Sequence, residues 1–279
     1  MKKSQLIYQY IREQGAVSKQ DIVIGLGLSL PTITQNLNNL AELGLIDTSK
    51  KISNTGGRNA TAYSYIEKAR YAVGLYLNRH HINCVAVDLS GNVISLIRVR
   101  ENFDLNDDNY LRKIGETVEE VKKDTGLSDD RFLGVGIAVQ GLISDDGERV
   151  TYGLTLNFTG VTRADIAKYI PYHNRLFHDS AAAGYAEVWD RNDLDDAFYL
   201  SLSNSVGGAV IVANKIFEGE RRKSGEIGHM TIIPKAGDRC YCGQRGCFDT
   251  VCRANVLAEY ADGDLEKFSP GCSEKQFRF

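Results

Sequence analysis

Glu226-Ile227-Gly228-His229 and, ten residues on, Cys240-Tyr241-Cys242-Gly243-Gln244-Arg245-Gly246-Cys247-Phe248-Asp249 form the stretch from which the rest of the chain can be read. Three of the six cysteines fall within eight positions, and a histidine precedes the first of them by eleven. A soft, tetrahedral Zn²⁺ takes four thiolate or imidazole ligands, and His229, Cys240, Cys242 and Cys247 supply that number without help from elsewhere. Four protein ligands leave no open coordination position, so the ion would be structural. Gly243 and Gly246 allow the tight fold such a site needs. The same residues also read as a loop of reduced structural thiols, but free buried cysteines seldom cluster around glycines, and the spacing favours zinc.

Working outward, 279 residues give room for two or more domains, and 25% charged with 43% apolar residues is the composition of a globular chain. No apolar run approaches the roughly 18 residues of a membrane span, and Met1-Lys2-Lys3 leads into an amphipathic pattern instead of a signal-peptide core. A cytoplasmic protein without a membrane partner is expected. Cys84, Cys252 and Cys272 are scattered, as reduced thiols would be. The net charge of −3 hides an asymmetry: residues 1–60 hold seven basic side chains against four acidic ones. A basic head on an acidic body suits a nucleic-acid-binding module joined to something else.

The head reads as three helices. Leu6, Ile7, Tyr10 and Ile11 repeat at helical spacing up to Gly15. Ser18 with Asp21 starts a second helix that ends near Gly25 to Gly27. Ser29 caps a third, with Pro31 in its first turn, an apolar face of Ile33, Leu37 and Leu40, and Gly44 as its stop. Pro31, Thr34, Gln35 and Asn38 fall on the opposite face, and Thr32 lies in the first turn. A strand at Leu45-Ile46, a turn over Thr55-Gly56-Gly57-Arg58 and a returning strand over Thr61 to Ile66 complete a winged helix-turn-helix over residues 1–66. In that module the third helix enters the major groove and a wing-tip arginine, here Arg58, reaches the minor groove or a phosphate. Operator DNA is the expected partner, with contacts from Pro31, Thr32, Thr34, Gln35, Asn38 and Arg58.

From Tyr71 the period changes. Strands are expected over Tyr71–Leu77, Ile82–Leu89 and Val93–Val99, then a helix over Asp108–Lys123 and the apolar strand Phe132–Val139. A helix near Arg163–Ile170, a strand Arg175–Phe177, a helix Ser180–Trp189 and strands Ala197–Leu202 and Ala209–Ala213 follow. Three antiparallel strands feeding alternating helices and a buried strand predict an α/β layer architecture with a mixed sheet.

Glu226-Ile-Gly-His229 followed by Cys-x-Cys-Gly-x-x-Gly-Cys resembles the signature of the ROK family of repressors, open reading frames and sugar kinases. The resemblance runs from Lys2 to about Tyr260. The head, through Leu26-Gly27-Leu28-Ser29-Leu30-Pro31-Thr32 and Gly57-Arg58, resembles that of the family's repressor branch. It implies an actin- and hexokinase-like (ribonuclease H-like) domain over 71–279, with a first lobe to about 190 and a partial second lobe from about 191 that carries the zinc loop. It also implies a sugar site. The family's Asn-Asp pair falls on His178-Asp179, Glu226 and His229 match residues that hydrogen-bond sugar hydroxyls, and a further glutamate is Asp249 here. One nitrogen of His229 would ligate zinc while the other faces the sugar.

The resemblance also bears on catalysis. The family's Asp-x-Gly-Gly-Thr phosphate turn falls on Tyr76-Leu77-Asn78-Arg79-His80, and a second phosphate turn reads Ser203-Asn204-Ser205. Both have lost the residues that admit phosphate, so no catalytic residue is expected and Asp179 would only accept a sugar hydroxyl. The final Ser269 to Phe279 does not resemble the family's continuation, which points to a truncated or frameshifted frame and an incomplete second lobe. The expected protein is therefore a sugar-responsive transcriptional repressor, a homodimer or homotetramer with structural zinc. A sugar kinase and a defective fragment that keeps only its DNA-binding head are the rivals.

Overall fold

The structure is a computed structural model that describes residues 2–52, 60–189, 191, 194–235, 237–254 and 256. The predicted turn Thr55–Arg58, with Arg58 of the expected DNA contacts, and the tail with Cys272 lie outside the described residues. The chain divides into two compact units, one of residues 1–71, 87–92 and 128–133, the other of the remainder.

In the first unit, helices α1 (Lys3–Gln14), α2 (Lys19–Leu26) and α3 (Leu30–Glu42) are followed by short strands β1 (Ile46–Asp47), β2 (Lys51–Ile52), β3 (Ala60–Thr61) and β4 (Ser64–Tyr65). Apolar residues one helical turn apart put Ile7 and Ile11 of α1, and Ile33, Leu37 and Leu40 of α3, into one core with Ile22 of α2, Val17 and Ile46. Each buried side chain of that size is worth about 1.5–3 kcal/mol, which is what holds so small a unit together. Ser18 and Asp21 cap α2 reciprocally, Ser18 N donating to the carboxylate at 2.8 Å and Asp21 N to the hydroxyl at 3.2 Å. The expected cap at Ser29 is absent: its hydroxyl pairs instead with that of Thr32, 2.9 Å away. Gly44 turns the chain out of α3 at φ 65°. Strand β1 pairs antiparallel with β4, β2 pairs with β3, and Val17 joins them through reciprocal backbone bonds to Tyr63. The predicted turn after the second long strand is tied by Asp88, whose buried carboxylate accepts Ser90 N and Asn92 N, both at 2.9 Å.

The second unit rests on a five-stranded sheet ordered β11-β8-β5-β6-β7, with β5 Tyr71–Leu77, β6 His81–Asp88, β7 Val93–Arg100, β8 Phe132–Val139 and β11 Asn174–His178. Strands β8 and β11 run parallel, with Asn174 opposite Val135 and His178 opposite Val139. Alternation buries Val73, Leu75 and Leu77 of β5 and Ile82, Cys84 and Ala86 of β6. Burial pushes the Cys84 thiol up to about 12, so it is an inert core residue. Helix α4 (Asp108–Asp124) buries Leu111, Ile114, Val118 and Val121. Between β8 and β11 lie β9 (Leu142–Ile143), β10 (Val150–Tyr152) and α5 (Arg163–Ile166). The helix expected as far as Ile170 stops at Ile166, where the backbone of Ala167 leaves helical geometry at φ −88°, ψ 19°; beyond it Lys168 Nζ and the Tyr169 hydroxyl both reach Asp108 Oδ1, at 2.6 and 2.8 Å.

Helix α6 (Asp179–Val188) leads to a second sheet, β12 (Ala197–Leu202), β13 (Val206–Val212) and β14 (Lys215–Ile216), in that order and antiparallel. Gly184 lets α6 approach closely, since a Cβ there would stand 2.8 Å from Ala209 Cβ and 3.0 Å from Tyr199 Cβ. The opposite face carries Phe198, Leu200 and Leu202 of β12 and Val212 of β13, all exposed. Strand β12 is an edge of this sheet among the described residues. A one-turn helix α7 (Asp249–Cys252) follows the cysteine loop.

Candidate metal centre and adjoining cleft

The cysteine loop is drawn together by glycines pressed against backbone. At Gly246, φ 71°, a Cβ would collide with the Ile233 carbonyl, and at Gly228 with that of Val206. Thr231 and Cys247 form an antiparallel bridge, as do Arg239 and Arg245. The result brings one atom each of His229, Cys240, Cys242 and Cys247 within 4.8 Å of one another. A tetrahedral ion with bonds of about 2.3 Å to sulfur and about 2.05 Å to nitrogen sets a sulfur pair about 3.8 Å apart and a sulfur–nitrogen pair about 3.5 Å apart. Cys242 Sγ and Cys247 Sγ are 3.7 Å apart, and Cys240 Sγ lies 3.5 Å from His229 Nδ1. Both separations are those of ligands on one tetrahedral ion, so the four side chains could hold one, with Nδ1 as the imidazole donor. Burial pushes the Cys240 thiol up to about 12, and Cys247 is raised for the same reason. A bound cation is what would hold such thiols as thiolates.

The other nitrogen of His229 faces away from the sulfurs, with Nε2 3.7 Å from Glu226 Oε2. Glu226 Oε1 is 3.9 Å from Nε2 of His178, and that nitrogen is 3.5 Å from Asp179 Oδ1. Two imidazoles thus flank one carboxylate, and a second carboxylate follows at the start of α6. Asp179 Oδ1 accepts Ser180 N at 2.7 Å, but burial outweighs this and the charge of His178, and its pKa is raised. Tyr76 stands nearby, its hydroxyl accepting from Gln140 Nε2 at 3.2 Å, and burial pushes it up to about 12.

These groups open on a cleft lined by His178, Asp179, Glu226, Gln140, Thr155 and Tyr241, with Ser201, Ser203 and Ser205 along one side. No lysine or arginine lines it among the described residues. An adjoining cleft shares His178 and Glu226 with it and is lined also by Arg175 and Arg222. Of the five residues expected at a sugar site, His178, Asp179 and Glu226 line the cleft, and His229 stands behind Glu226. Asp249 is set apart: it is 1% exposed, and its Oδ1 accepts Val206 N at 2.7 Å. Sequence reasoning missed Tyr241, Gln140 and Thr155. The first of these had a signal, since a residue between two ligating cysteines must stand beside the ion.

The turn Asn78–His80 carries its own closure. Asn78 Oδ1 accepts the backbone N–H groups of His80 at 3.0 Å and His81 at 2.9 Å. Arg79 Nη2 donates to Thr155 O at 2.7 Å, and His80 Nδ1 lies 3.2 Å from Asn102 Oδ1. Two amides that could meet an anion are therefore already satisfied within the turn. On the first unit, Pro31, Gln35 and Asn38 of α3 are exposed, whereas Thr32 and Thr34 are half-buried and Thr32 is engaged with Ser29.

Comparison with known proteins agrees with this architecture. The xylose repressor of Bacillus subtilis is 24% identical over 270 residues, 95% of this chain and 69% of its own. The transcriptional dual regulator NagC of Escherichia coli is 24% identical over 278 residues, 92% of this chain and 63% of its own, so the chain spans about two thirds of these relatives. Among solved structures, a ROK family transcriptional regulator described as a homologue of the E. coli MLC protein superposes with a TM-score of 0.74 at 21% identity, covering 99% of this chain and 70% of the other. The ROK hexokinase of Thermus thermophilus gives 0.55 at 24%, covering 68% and 63%. At these identities the structural likeness is one of fold, the actin- and hexokinase-like fold. The ROK family model matches residues 72–275, well over half of the chain, and the protein belongs to the ROK family.

Proposed function

We propose that the protein is a sugar-responsive transcriptional repressor. Residues 1–66 form a winged helix-turn-helix that binds operator DNA through Gln35 and Asn38 of α3, with Pro31, Thr32, Thr34 and Arg58 around them. Residues from 71 onward form the sugar-binding ROK domain, in which Asp179, Glu226, His178 and His229 meet sugar hydroxyls. Asp249 acts from behind, by fixing Val206. A zinc ion on His229, Cys240, Cys242 and Cys247 supplies a fixed positive centre that orients the His229 ring and so the edge of the sugar site. The protein works as a homodimer or homotetramer on paired half-sites, and the sugar changes its affinity for them.

The observation that carries this reading is the self-closed turn at Asn78, which supports sugar binding without phosphoryl transfer. A nucleotide triphosphate needs backbone amides or cations placed for its phosphates beside Asp179, and no lysine or arginine lines the cleft among its described residues. A cleft with carboxylates and serines but no lysine or arginine suits a neutral polyol. The names of the relatives favour a repressor over a kinase.

The full chain, loaded with zinc, should enrich one class of operator from a genomic fragment library at fixed salt. D-xylose or N-acetyl-D-glucosamine, the sugars named in relatives of this protein, should shift that enrichment. Absence of any fragment preference would sink the DNA-binding reading. Production of ADP above background with either sugar and ATP would replace it with a kinase.

A further inference from the structure

Two walls of the adjoining cleft come from segments far apart in the chain. Leu142, Ile143 and Gly147 belong to β9 and the turn after it, while Glu218, Arg222 and Glu226 belong to the segment that follows β14. Asp145 stands between Ile143 and Gly147 on that turn, its side chain 91% exposed. Arg222 reaches it across 77 positions of chain: Nε lies 3.2 Å from Asp145 Oδ1, and Nη2 donates to Asp145 O at 3.3 Å. The pair therefore joins the two walls on the solvent side of the cleft.

Each end is set up for this contact. On the first wall the turn is closed without Asp145: Asp146 Oδ1 accepts the Ser144 hydroxyl and, at 3.0 Å, Glu148 N, and Gly147 N donates to Ser144 O at 2.9 Å. The Asp145 carboxylate is left for a partner outside the turn. On the second wall Arg222 holds φ 53°, a left-handed backbone that a long side chain seldom adopts. Its Nε is also 3.3 Å from Glu218 Oε2, four residues back on the same wall. Parting from Asp145 leaves the guanidinium beside Glu218, so its charge is never stranded. An ion pair this exposed is weak, which suits a gate better than a fixed brace.

We propose that the adjoining cleft is the passage by which a small polar molecule reaches His178 and Glu226, and that Arg222 with Asp145 is its gate. Those two inner residues line both clefts, so a molecule admitted through one meets the groups of the other. The gate is also close to them in sequence. Glu226 lies four positions after Arg222, and its N–H donates to Lys223 O at 3.2 Å. That the molecule admitted is the effector rests on the proposed sugar site.

Thiol labelling on the zinc-loaded full chain tests it. Ala181→Cys puts a sulfur on the lining of the cleft, and Ala186→Cys puts one on the exposed side of the same helix. Uncharged iodoacetamide is the probe, and mass spectrometry of the peptide carrying the new thiol sets the native cysteines aside. With Arg222→Met or Asp145→Asn added, the inner thiol should react about two- to fivefold faster, the factor an exposed ion pair supplies. The outer thiol should keep its rate. Arg222→Met combined with Asp145→Asn should match Arg222→Met alone, because both remove one contact. Raising salt to about 1 M, where the screening length is about 3 Å, should speed the inner thiol in the parent and not in Arg222→Met. An inner thiol that reacts equally with and without Arg222, or in no background at all, would overturn the proposal. So would factors that multiply in the double variant, or a gain shared by the outer thiol, which marks general loosening. Phe177→Cys, at an exposed position on the same lining, replaces Ala181→Cys if that variant does not fold. D-xylose and N-acetyl-D-glucosamine separate the gate from its use. A sugar that binds should dissociate faster from Arg222→Met, and equal dissociation rates would overturn the passage. Binding of neither sugar would defeat the effector reading and leave the gate to be decided by labelling.

Discussion

Glu226 Oε2 lies 3.7 Å from Nε2 of His229, the ring whose Nδ1 is 3.5 Å from the Cys240 sulfur. One imidazole therefore joins the candidate metal to the candidate sugar carboxylate, and the two can be separated by substitution. Glu226→Gln keeps the shape and removes the charge. Sugar affinity should fall roughly 10- to 100-fold, as expected for a hydrogen bond to a charged acceptor, while zinc content is unchanged. Calorimetric titration with D-xylose and N-acetyl-D-glucosamine, beside a metal assay, reads both.

Cys247→Ser should remove the ion. Cys247 is fully buried, and its loss leaves three ligands around a centre built for four. The melting temperature should drop by roughly 10 °C, given that structural zinc contributes several kcal/mol to folding. Chelation of the wild type should give the same drop, and an equal melting temperature with and without chelator would argue for plain thiols.

Asp179 gives a pH signature. Its carboxyl is raised by burial above the usual 3.8, so the folded protein resists ionising it. Below 3.8 both folded and unfolded chains hold the proton and nothing is lost. As pH rises through the raised value, ionisation costs stability. Asp179→Asn removes that cost, so its melting temperature relative to wild type should rise from pH 4 to pH 8. A constant difference across that range would mean that the carboxyl titrates normally.

Gln35→Ala and Asn38→Ala should each weaken discrimination between operator and mismatched DNA by about 1–3 kcal/mol, and leave binding to random DNA nearly unchanged. Competition binding at one salt concentration distinguishes this from a general loss of affinity.

Much of this was legible because it is periodic or local. Ile7 with Ile11, and Ile33 with Leu37 and Leu40, follow the helical repeat and are the core of the first unit. Strand β5 alternates buried and half-buried residues along its whole length, so Tyr71–Leu77 could be read to the residue. The four metal-site side chains stood out because cysteines and glycines rarely cluster without a reason. The illegible parts depend on partners distant in sequence. Asp249 looks like a residue beside the site, yet its carboxylate serves Val206, 43 positions away. Ser29 looks like a cap, but a hydroxyl at Thr32 competes for it. The segment after the short helix that follows Thr162 is tied to Asp108, some sixty positions back, through Lys168 and Tyr169, and no local pattern records that attraction. Thr155 carries no motif at all, and only the folded chain brings Arg79 to it.

The row Phe198, Leu200 and Leu202 on β12 bears on the lifetime of the chain in a cell. Chaperones and quality-control proteases recognise apolar side chains on open strand edges as the mark of an unfinished protein. Unless something covers that face, the steady-state amount of the protein is set by triage as well as by synthesis. Charged substitutions on β12, such as Leu200→Lys, should then raise its abundance without touching the cleft.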